Sequence, residues 1–236
     1  MTKSSVFILT GAGISAESGI RTFRAADGLW ENHRIEDVAT PEAFSRNPNL
    51  VYEFYNQRRR QLKDAQVKPN AAHLALAELE AKWPGKFLLV TQNVDNLHER
   101  AGSKDILHMH GELNSAWCRS CDHRQQWRED LSADSTCTTC NQKGNLRPDI
   151  VWFGEMPYES ERTFAFLENC EIFISVGTSG VVYPAAGFAR EAHRARRIEV
   201  NVQGTDISNF FHEHRLGPAG VEVPQLVKEI LASITS

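Results

Sequence analysis

Short, nearly continuous apolar runs recur along the chain at residues 6–10, 87–90, 106–109, 150–153, 172–176 and 198–202. Runs of that length without polar alternation read as strands of a parallel sheet covered on both faces. Helical patterns separate several of them. Thr40 before Pro41 and Glu42 is a helix start, with an N-cap hydroxyl and proline at the first helical position. Asn70 is the matching cap for an alanine-rich helix over 71–82, stopped before Pro84. Residues 184–195 and 224–234 also read as helices. The alternation predicts a doubly wound α/β domain with a parallel sheet. Residues 117–145 break it. They are polar, cysteine-rich and poor in aliphatic side chains, and they need a metal to hold a core. They read as a small zinc module inserted into the larger domain.

Composition adds exclusions. The chain has 236 residues, 41% hydrophobic and 24% charged, ordinary globular proportions at a length that buries a core without disulfides. A net charge of −4 gives no electrostatic footprint for nucleic acid. No apolar run nears the ~18 residues of a membrane span. Residues 1–5 lack the apolar stretch of a signal peptide, so the expected compartment is the cytoplasm. The cysteine count, five, is odd, which argues against a disulfide framework and for a reducing compartment. Four of them form Cys118-x2-Cys121 and Cys137-x2-Cys140 with 15 residues between the pairs. That is tetrahedral zinc spacing, and four thiolates leave no open position, so one structural ion is expected. Cys170 stands alone and reads as a small buried hydrophobe.

The candidate chemistry lies at strand ends. Gly11-Ala12-Gly13-Ile14-Ser15-Ala16 follows the first strand and fits G-x-G-x-x-A, a tight turn that lets backbone and a helix N-terminus approach a pyrophosphate. The acidic residue that would close an ordinary dehydrogenase fingerprint is missing; residues 20–36 read as a loop instead. Gly177-Thr178-Ser179 is a second polar turn, and Asn201 ends a strand within reach of a ribose hydroxyl. Asn93 and Asp95 follow the second strand. His108 and His110 end the third and share a face if the strand continues through them. A histidine there suits a base near neutrality.

Together these segments resemble the sirtuin family. Gly11-Ala-Gly-Ile-Ser with Gly19-Ile-Arg-Thr-Phe-Arg24 resembles its cofactor loop, Gln92-Asn-Val-Asp95 its Q-N-[IV]-D motif, and His110-Gly111 its H-G motif. The two C-x2-C pairs, Gly177-Thr-Ser179 and Asn201 fall in family order. The resemblance spans nearly the whole chain. It implies one catalytic domain over 1–236, with a Rossmann-like large domain made of 1–30, 86–116 and 146–236. A helical insertion over 31–85 and the zinc module over 117–145 would form the small domain, with substrate in the cleft between. The implied activity is NAD-dependent deacylation of protein lysines. The acyl oxygen attacks C1′ of the nicotinamide ribose, and the products are free lysine, nicotinamide and 2′-O-acyl-ADP-ribose. His110 would be the general base, with Asn93 and Asp95 positioning the ribose and nicotinamide. Other implied NAD contacts are Gly11, Ala12, Gly13, Glu17, Ser18, Thr22, Phe23, Arg24 and Trp30, then Gln92 and Val94. Gly177, Thr178, Ser179, Asn201, Val202, Gln203 and Ala219 complete them. Val151, Trp152 and Phe153, with Gly154 and Glu155, resemble the strand that pairs with the substrate peptide. The family default is a monomer.

Tyr55 and Arg58 stand at i and i+3 in a predicted helix and share a face. A phenol and a guanidinium there suit a carboxylate. Spacing alone leaves Tyr52, Arg59 and Arg60 open, and Arg58-Arg59-Arg60 also reads as a solvated basic face. Tyr55-x-x-Arg58 resembles the Y-x-x-R of class III sirtuins, the group with the bacterial CobB type. That implies removal of succinyl, malonyl or glutaryl groups beside acetyl, with Ala25-Ala26 leaving room for the larger acyl chain. Two other readings compete: a mono-ADP-ribosyltransferase on the same fold, which Y-x-x-R argues against, and a non-catalytic zinc-ribbon adaptor.

Overall fold

The computed structural model describes residues 4–20, 29–30 and 33–234. In chain order the strands are β1 (Val6–Thr10), β2 (Leu29–Trp30), β3 (His33–Arg34), β4 (Phe87–Thr91), β5 (Ile106–His108), β6 (Gly111–Cys118), β7 (Arg124–Gln126), β8 (Leu146–Ile150), β9 (Ile172–Val176), β10 (Arg196–Asn201) and β11 (Glu213–Leu216). The α-helices are α1 (Ile35–Val38), α2 (Pro41–Arg46), α3 (Pro48–Gln61), α4 (Ala71–Lys82), α5 (Leu97–Ala101), α6 (Ser160–Leu167), α7 (Phe188–Glu191) and α8 (Ala219–Ile234). Among the described residues no helix is long and apolar enough to cross a membrane.

Six parallel strands form one sheet in the order β11-β10-β9-β1-β4-β5. Every residue of β1 is buried, as continuous apolar strands require. Alternate side chains enter two cores. Val6, Ile8, Leu89, Ile174 and Val200 pack under α4 and α8. Phe7, Leu9, Val90 and Phe173 pack with Leu167, Phe188 and Cys170 on the other face. Because β1 lies between β4 and β9, connections leave it in opposite directions. The crevice at its carboxyl end is a topological switch point, where ligands of open α/β sheets bind.

A three-stranded antiparallel sheet, β7-β6-β8, carries the four cysteines and packs against α3. A third core joins Phe44, Tyr52, Tyr55, Leu113, Leu146 and Trp152 with Cys118 and Cys137.

Several boundaries differ from the sequence reading. Helix α4 lies within the 31–85 segment expected in the small domain. Ala72, Ala75, Leu76 and Leu79 instead make a helical stripe on the large sheet's core. The strand expected over 150–153 ends at Ile150 and begins earlier, at Leu146, because Arg147 and Asp149 are buried among polar partners that a hydropathy pattern does not register. The helix expected over 184–195 shrinks to a 3-10 turn over Ala185–Gly187 and the short α7, with Gly187 weakening it in the middle. Helix α8 starts before Pro224, which sits inside it.

Candidate active site

The two glycine turns meet at the switch point. The Gly11 N–H donates to the Val176 carbonyl, and the Gly13 N–H to the Gly177 carbonyl at 2.8 Å. A Cβ on Gly13 would stand 2.6 Å from the Gly177 Cα. Gly177, at φ +63°, is equally closed to a side chain. These glycines therefore allow turn to pack on turn, which the reading of a phosphate-facing turn alone did not foresee. Beyond Gly11 the chain forms a 3-10 helix, Ala12–Ser18, rather than an α-helix.

The Gln92–Asp95 segment closes over this junction. The Gln92 amide donates to the Thr178 hydroxyl at 3.0 Å. The Asn93 amide donates to the Gly11 carbonyl and the Ser15 hydroxyl at 3.1 and 3.2 Å. Ser15 in turn donates to Asp95 at 3.0 Å. Burial pushes the Asp95 carboxyl above its ordinary range, against hydrogen bonds from the Leu97 N–H and Ser15. Val94 is half-buried against the small core, and its carbonyl accepts the Leu113 N–H. Ser15 belonged to the quoted motif but was assigned no role; only the fold shows that it bridges Asn93 and Asp95.

His110 lies in the turn after β5, half-buried, with Nδ1 3.2 Å from the Gln92 carbonyl. A carbonyl cannot donate, so Nδ1 carries the proton and Nε2 holds the lone pair. Burial depresses its imidazole pKa. His108 does not share its face: the strand stops at His108, whose ring turns to Glu99 and the Asn93 carbonyl.

The remaining predicted cofactor residues divide. Thr178 is buried and Ser179 exposed. The Asn201 amide donates to the Thr178 carbonyl at 2.8 Å, tying the second turn to β10. Val202 and Gln203 are exposed beyond it, and Ala219 is buried. The Glu17 carboxylate accepts the Gly220 N–H at the start of α8, and the Ser18 hydroxyl accepts the Asn70 amide. Both join the glycine turn to neighbouring helices. Thr22, Phe23 and Arg24 lie outside the described residues, as do Ala25 and Ala26 and the side chain of Trp30.

On α3 the three arginines separate. Arg59 is 1% exposed and donates to the Leu113 carbonyl and Asn56, so it is not part of a solvated face. Burial pushes its guanidinium down to about 10. Arg60 pairs at the surface with Glu53 and Asp130. Tyr52 donates to the Leu146 carbonyl at 2.7 Å. Tyr55 is fully buried, and its hydroxyl accepts the Trp152 indole N–H at 3.0 Å. The Arg58 guanidinium lies 3.7 Å from the Phe54 ring centroid. Trp152 is itself covered by Arg147 at 3.4 Å, which makes a two-fold ion pair with Glu155. The expected peptide-pairing segment forms no strand within the chain: β8 ends at Ile150, Phe153 and Gly154 lie in a turn, and three of the segment's N–H groups are engaged. Val151 N–H meets the His110 carbonyl, Phe153 N–H the Ala39 carbonyl, and Trp152 N–H the Glu155 carboxylate.

The four cysteine sulfurs lie within 4.8 Å of one another, with Cys118–Cys140 and Cys121–Cys137 both 3.7 Å apart. Sulfurs ~2.3 Å from a tetrahedral zinc stand about 3.8 Å apart, so the set fits the ion. Each pair closes the same knuckle. Asp122 N–H returns to the Cys118 carbonyl and Asn141 N–H to that of Cys137, with Asp122 and Asn141 both at positive φ. Asp and Asn are the side chains that tolerate that conformation best.

Comparison with known proteins gives the family. A family model described as Sir2 family matches residues 11–184. The NAD-dependent protein deacylase of Bdellovibrio bacteriovorus is 60% identical over 96% of this chain and 97% of its own. That of Vibrio parahaemolyticus is 56% identical over 97% and 95%. A Sir2 homologue in complex with NAD superposes with a TM-score of 0.86 at 38% identity, covering 98% of this chain and 91% of that one. Sir2Af2 bound to a myristoylated histone peptide does so at 0.75 and 31%, covering 98% and 92%. With the paired glycine turns, the Gln92–Asp95 segment, His110 and the four-sulfur cluster all in place, the chain belongs to the Sir2 family.

Proposed function

We propose that this chain is an NAD-dependent protein-lysine deacylase that removes succinyl, malonyl and acetyl groups. The observation that carries this is the 3.2 Å contact of His110 Nδ1 with the Gln92 carbonyl, which can only accept and so leaves Nε2 with the lone pair of a base. NAD supplies the electrophilic ribose carbon and nicotinamide as leaving group. The residues at the switch point do the rest. Gly11, Gly13 and Gly177 bring two backbone turns together for the pyrophosphate, Asn93 and Asp95 orient the nicotinamide ribose, and His110 takes a ribose hydroxyl proton. The zinc stays structural, held by Cys118, Cys121, Cys137 and Cys140. Four reduced thiolates suit a cytoplasmic setting.

Acyl selectivity follows from α3. The resemblance of Tyr55-x-x-Arg58 to the Y-x-x-R of class III sirtuins assigns that pair to a substrate carboxylate, while Tyr52 and Arg59 meet backbone carbonyls and Arg60 surface carboxylates. A charge-assisted hydrogen bond there is worth ~1.5–3 kcal/mol, or roughly ten- to a hundredfold in selectivity. The peptide would lie along Val151–Trp152–Phe153. With those N–H groups engaged, it would be held by the loop's carbonyls and by the Phe153 ring, which is 46% exposed.

One lysine peptide carrying either acetyl or succinyl tests the reading, with mass spectrometry following peptide and 2′-O-acyl-ADP-ribose. Tyr55→Phe/Arg58→Met is expected to lose succinyl removal and keep acetyl removal. Parallel loss of both refutes the carboxylate clamp. Nicotinamide release without deacylation by wild type refutes the deacylase and favours ADP-ribosyl transfer.

A further inference from the structure

Two residues before the base stands a second histidine, in the opposite chemical state. His108 is 9% exposed, and both of its ring nitrogens face acceptors. Nδ1 is 3.1 Å from the Asn93 carbonyl, and Nε2 is 2.6 Å from a Glu99 carboxylate oxygen, with Glu112 at 3.7 Å. A neutral imidazole has one proton for two acceptors. The arrangement therefore calls for an imidazolium. The three donor atoms also sit close enough for a metal ion, but a protonated Nε2 cannot ligate one.

The Asn93 carbonyl is one residue along from the Gln92 carbonyl that holds His110. The two histidines grip successive carbonyls of the segment whose side chains reach Gly11 and Ser15. We infer that His108, clamped as an imidazolium by Glu99, is a positioning residue that fixes the Gln92–Asn93 backbone for NAD. This rests on the place given above to Asn93 in the cofactor site.

The surroundings set the sign of its pH dependence. Toward solvent, Glu99 on α5 and Glu112 on β6 face the ring, and Lys104 lines the same cavity. Arg124 and Asp149, also in the lining, pair with each other at 3.3 Å. Inward lie Asp95, whose carboxyl burial pushes up and the imidazolium pulls partly back, and His98, which burial and then the neighbouring imidazoles push down. Burial works against the charge on His108, but Glu99 and Glu112 together hold its pKa above the ordinary histidine value. When the proton is lost, the short bond to a carboxylate keeps the remaining one. Nδ1 is then bare against a carbonyl, and Asn93 is released.

The test is steady-state kinetics with NAD varied, on the zinc-loaded protein. His108→Asn places an amide nitrogen where Nδ1 stood. His108→Gln places one nearer Nε2, and His108→Leu supplies neither. KM for NAD should rise roughly tenfold in the Gln and Leu variants and stay near wild type in the Asn variant, with kcat changing less. In wild type KM for NAD should climb at alkaline pH, and Glu99→Gln should move that limb to lower pH. Asn93→Ala runs alongside. If it leaves KM for NAD unchanged, the reading of the cofactor loop fails rather than the role of His108. Given an effect of Asn93→Ala, equal losses in the Asn and Leu variants overturn the proposal. So does an alkaline limb that Glu99→Gln does not move.

Discussion

The six-stranded sheet and the three-stranded sheet beside it are held together by different physics. The large sheet rests chiefly on apolar burial: Val6, Phe7, Ile8 and Leu9 are fully or almost fully enclosed in succession, and two apolar layers close over them. The small sheet and α3 bury charged side chains of both signs among their apolar ones. Arg59, Asn56, Arg147 and Asp149 are enclosed with their partners. A buried polar network is favourable only while every member is satisfied, so this region depends on a fixed framework, and four sulfurs supply it. The division of labour suits a binding cleft. The sheet offers rigid backbone turns at the ends of its strands, and the small region offers side chains from α3 and the 151–155 turn.

Removing the metal should expose this difference most strongly. Structural zinc contributes apparent folding free energies of ~10–16 kcal/mol in small zinc domains, as much as the whole stability of an ordinary domain. Cys118→Ser, or a strong chelator, should release zinc and unfold β6–β8 together with the contact to α3. The amides of β1, β4 and β9 should keep much of their protection. Metal analysis and hydrogen exchange read the two outcomes separately. Full zinc content with unchanged exchange in β6–β8 would contradict a structural ion, and simultaneous collapse of the large sheet would contradict its independence.

The same contrast explains what was legible in the sequence. Where burial alone dictates structure, pattern sufficed: β1, β9 and α4 have the predicted limits, and the spacing of the cysteines announced their cluster. Where polar groups are buried, pattern failed. β8 reads Leu-Arg-Pro-Asp-Ile, and nothing in that string says that Arg147 will lie over Trp152 or that Asp149 will accept from Ser115 and Tyr158. Arg58, Arg59 and Arg60 look like one charged face but occupy three environments. The site shows the same split. The motifs flagged Asn93, Asp95 and His110, but not the different partners that His108 and His110 take once β5 stops at His108, nor the bridge that Ser15 makes between Asn93 and Asp95.

Acid should affect the large sheet's layer through two histidines that carry no catalytic role. His73 and His98 lie 4.9 Å apart between α4 and α5, both buried. Burial pushes the His73 imidazole down to about 4, and that of His98 well below its usual value. Each is bound in the fold as a neutral ring. For His73 the folded value lies below the unfolded ~6.5, so the unfolded chain takes up the proton first. Its contribution is complete above pH 6.5 and is lost as pH falls toward 4, amounting to roughly 3 kcal/mol at one pKa unit per ~1.4 kcal/mol. Denaturant midpoints, followed by exchange of β1 and β4 amides so that zinc loss does not interfere, should fall over that interval. In His73→Leu the fall should be shallower. A wild-type midpoint flat from pH 7 to 4.5 would refute it.

The smallest effect compares two helix caps, one on each side of the division. Thr40 accepts the Ala43 N–H and starts α2 beside the small sheet. It makes one capping bond at a half-buried site, and Thr40→Ala should cost about 1 kcal/mol. Asn70 begins α4 in the same way, accepting the Ala72 N–H. Its amide also donates to the Ile14 carbonyl at 2.7 Å and the Ser18 hydroxyl at 3.0 Å, tying the helix to the 3-10 segment after the first glycine turn. Asn70→Ala therefore loses the cap and two further bonds, each worth ~0.5–1.5 kcal/mol. It should be the more destabilising of the two, and it alone should weaken NAD binding, because the segment it releases leads directly from Gly11 and Gly13. Asn70→Asp separates these contributions. The carboxylate keeps the cap but cannot donate to Ile14 or Ser18, so stability should recover in part and NAD affinity should not. Full recovery of both would mean that the cap alone matters and that the glycine turn is held by its packing on Gly177.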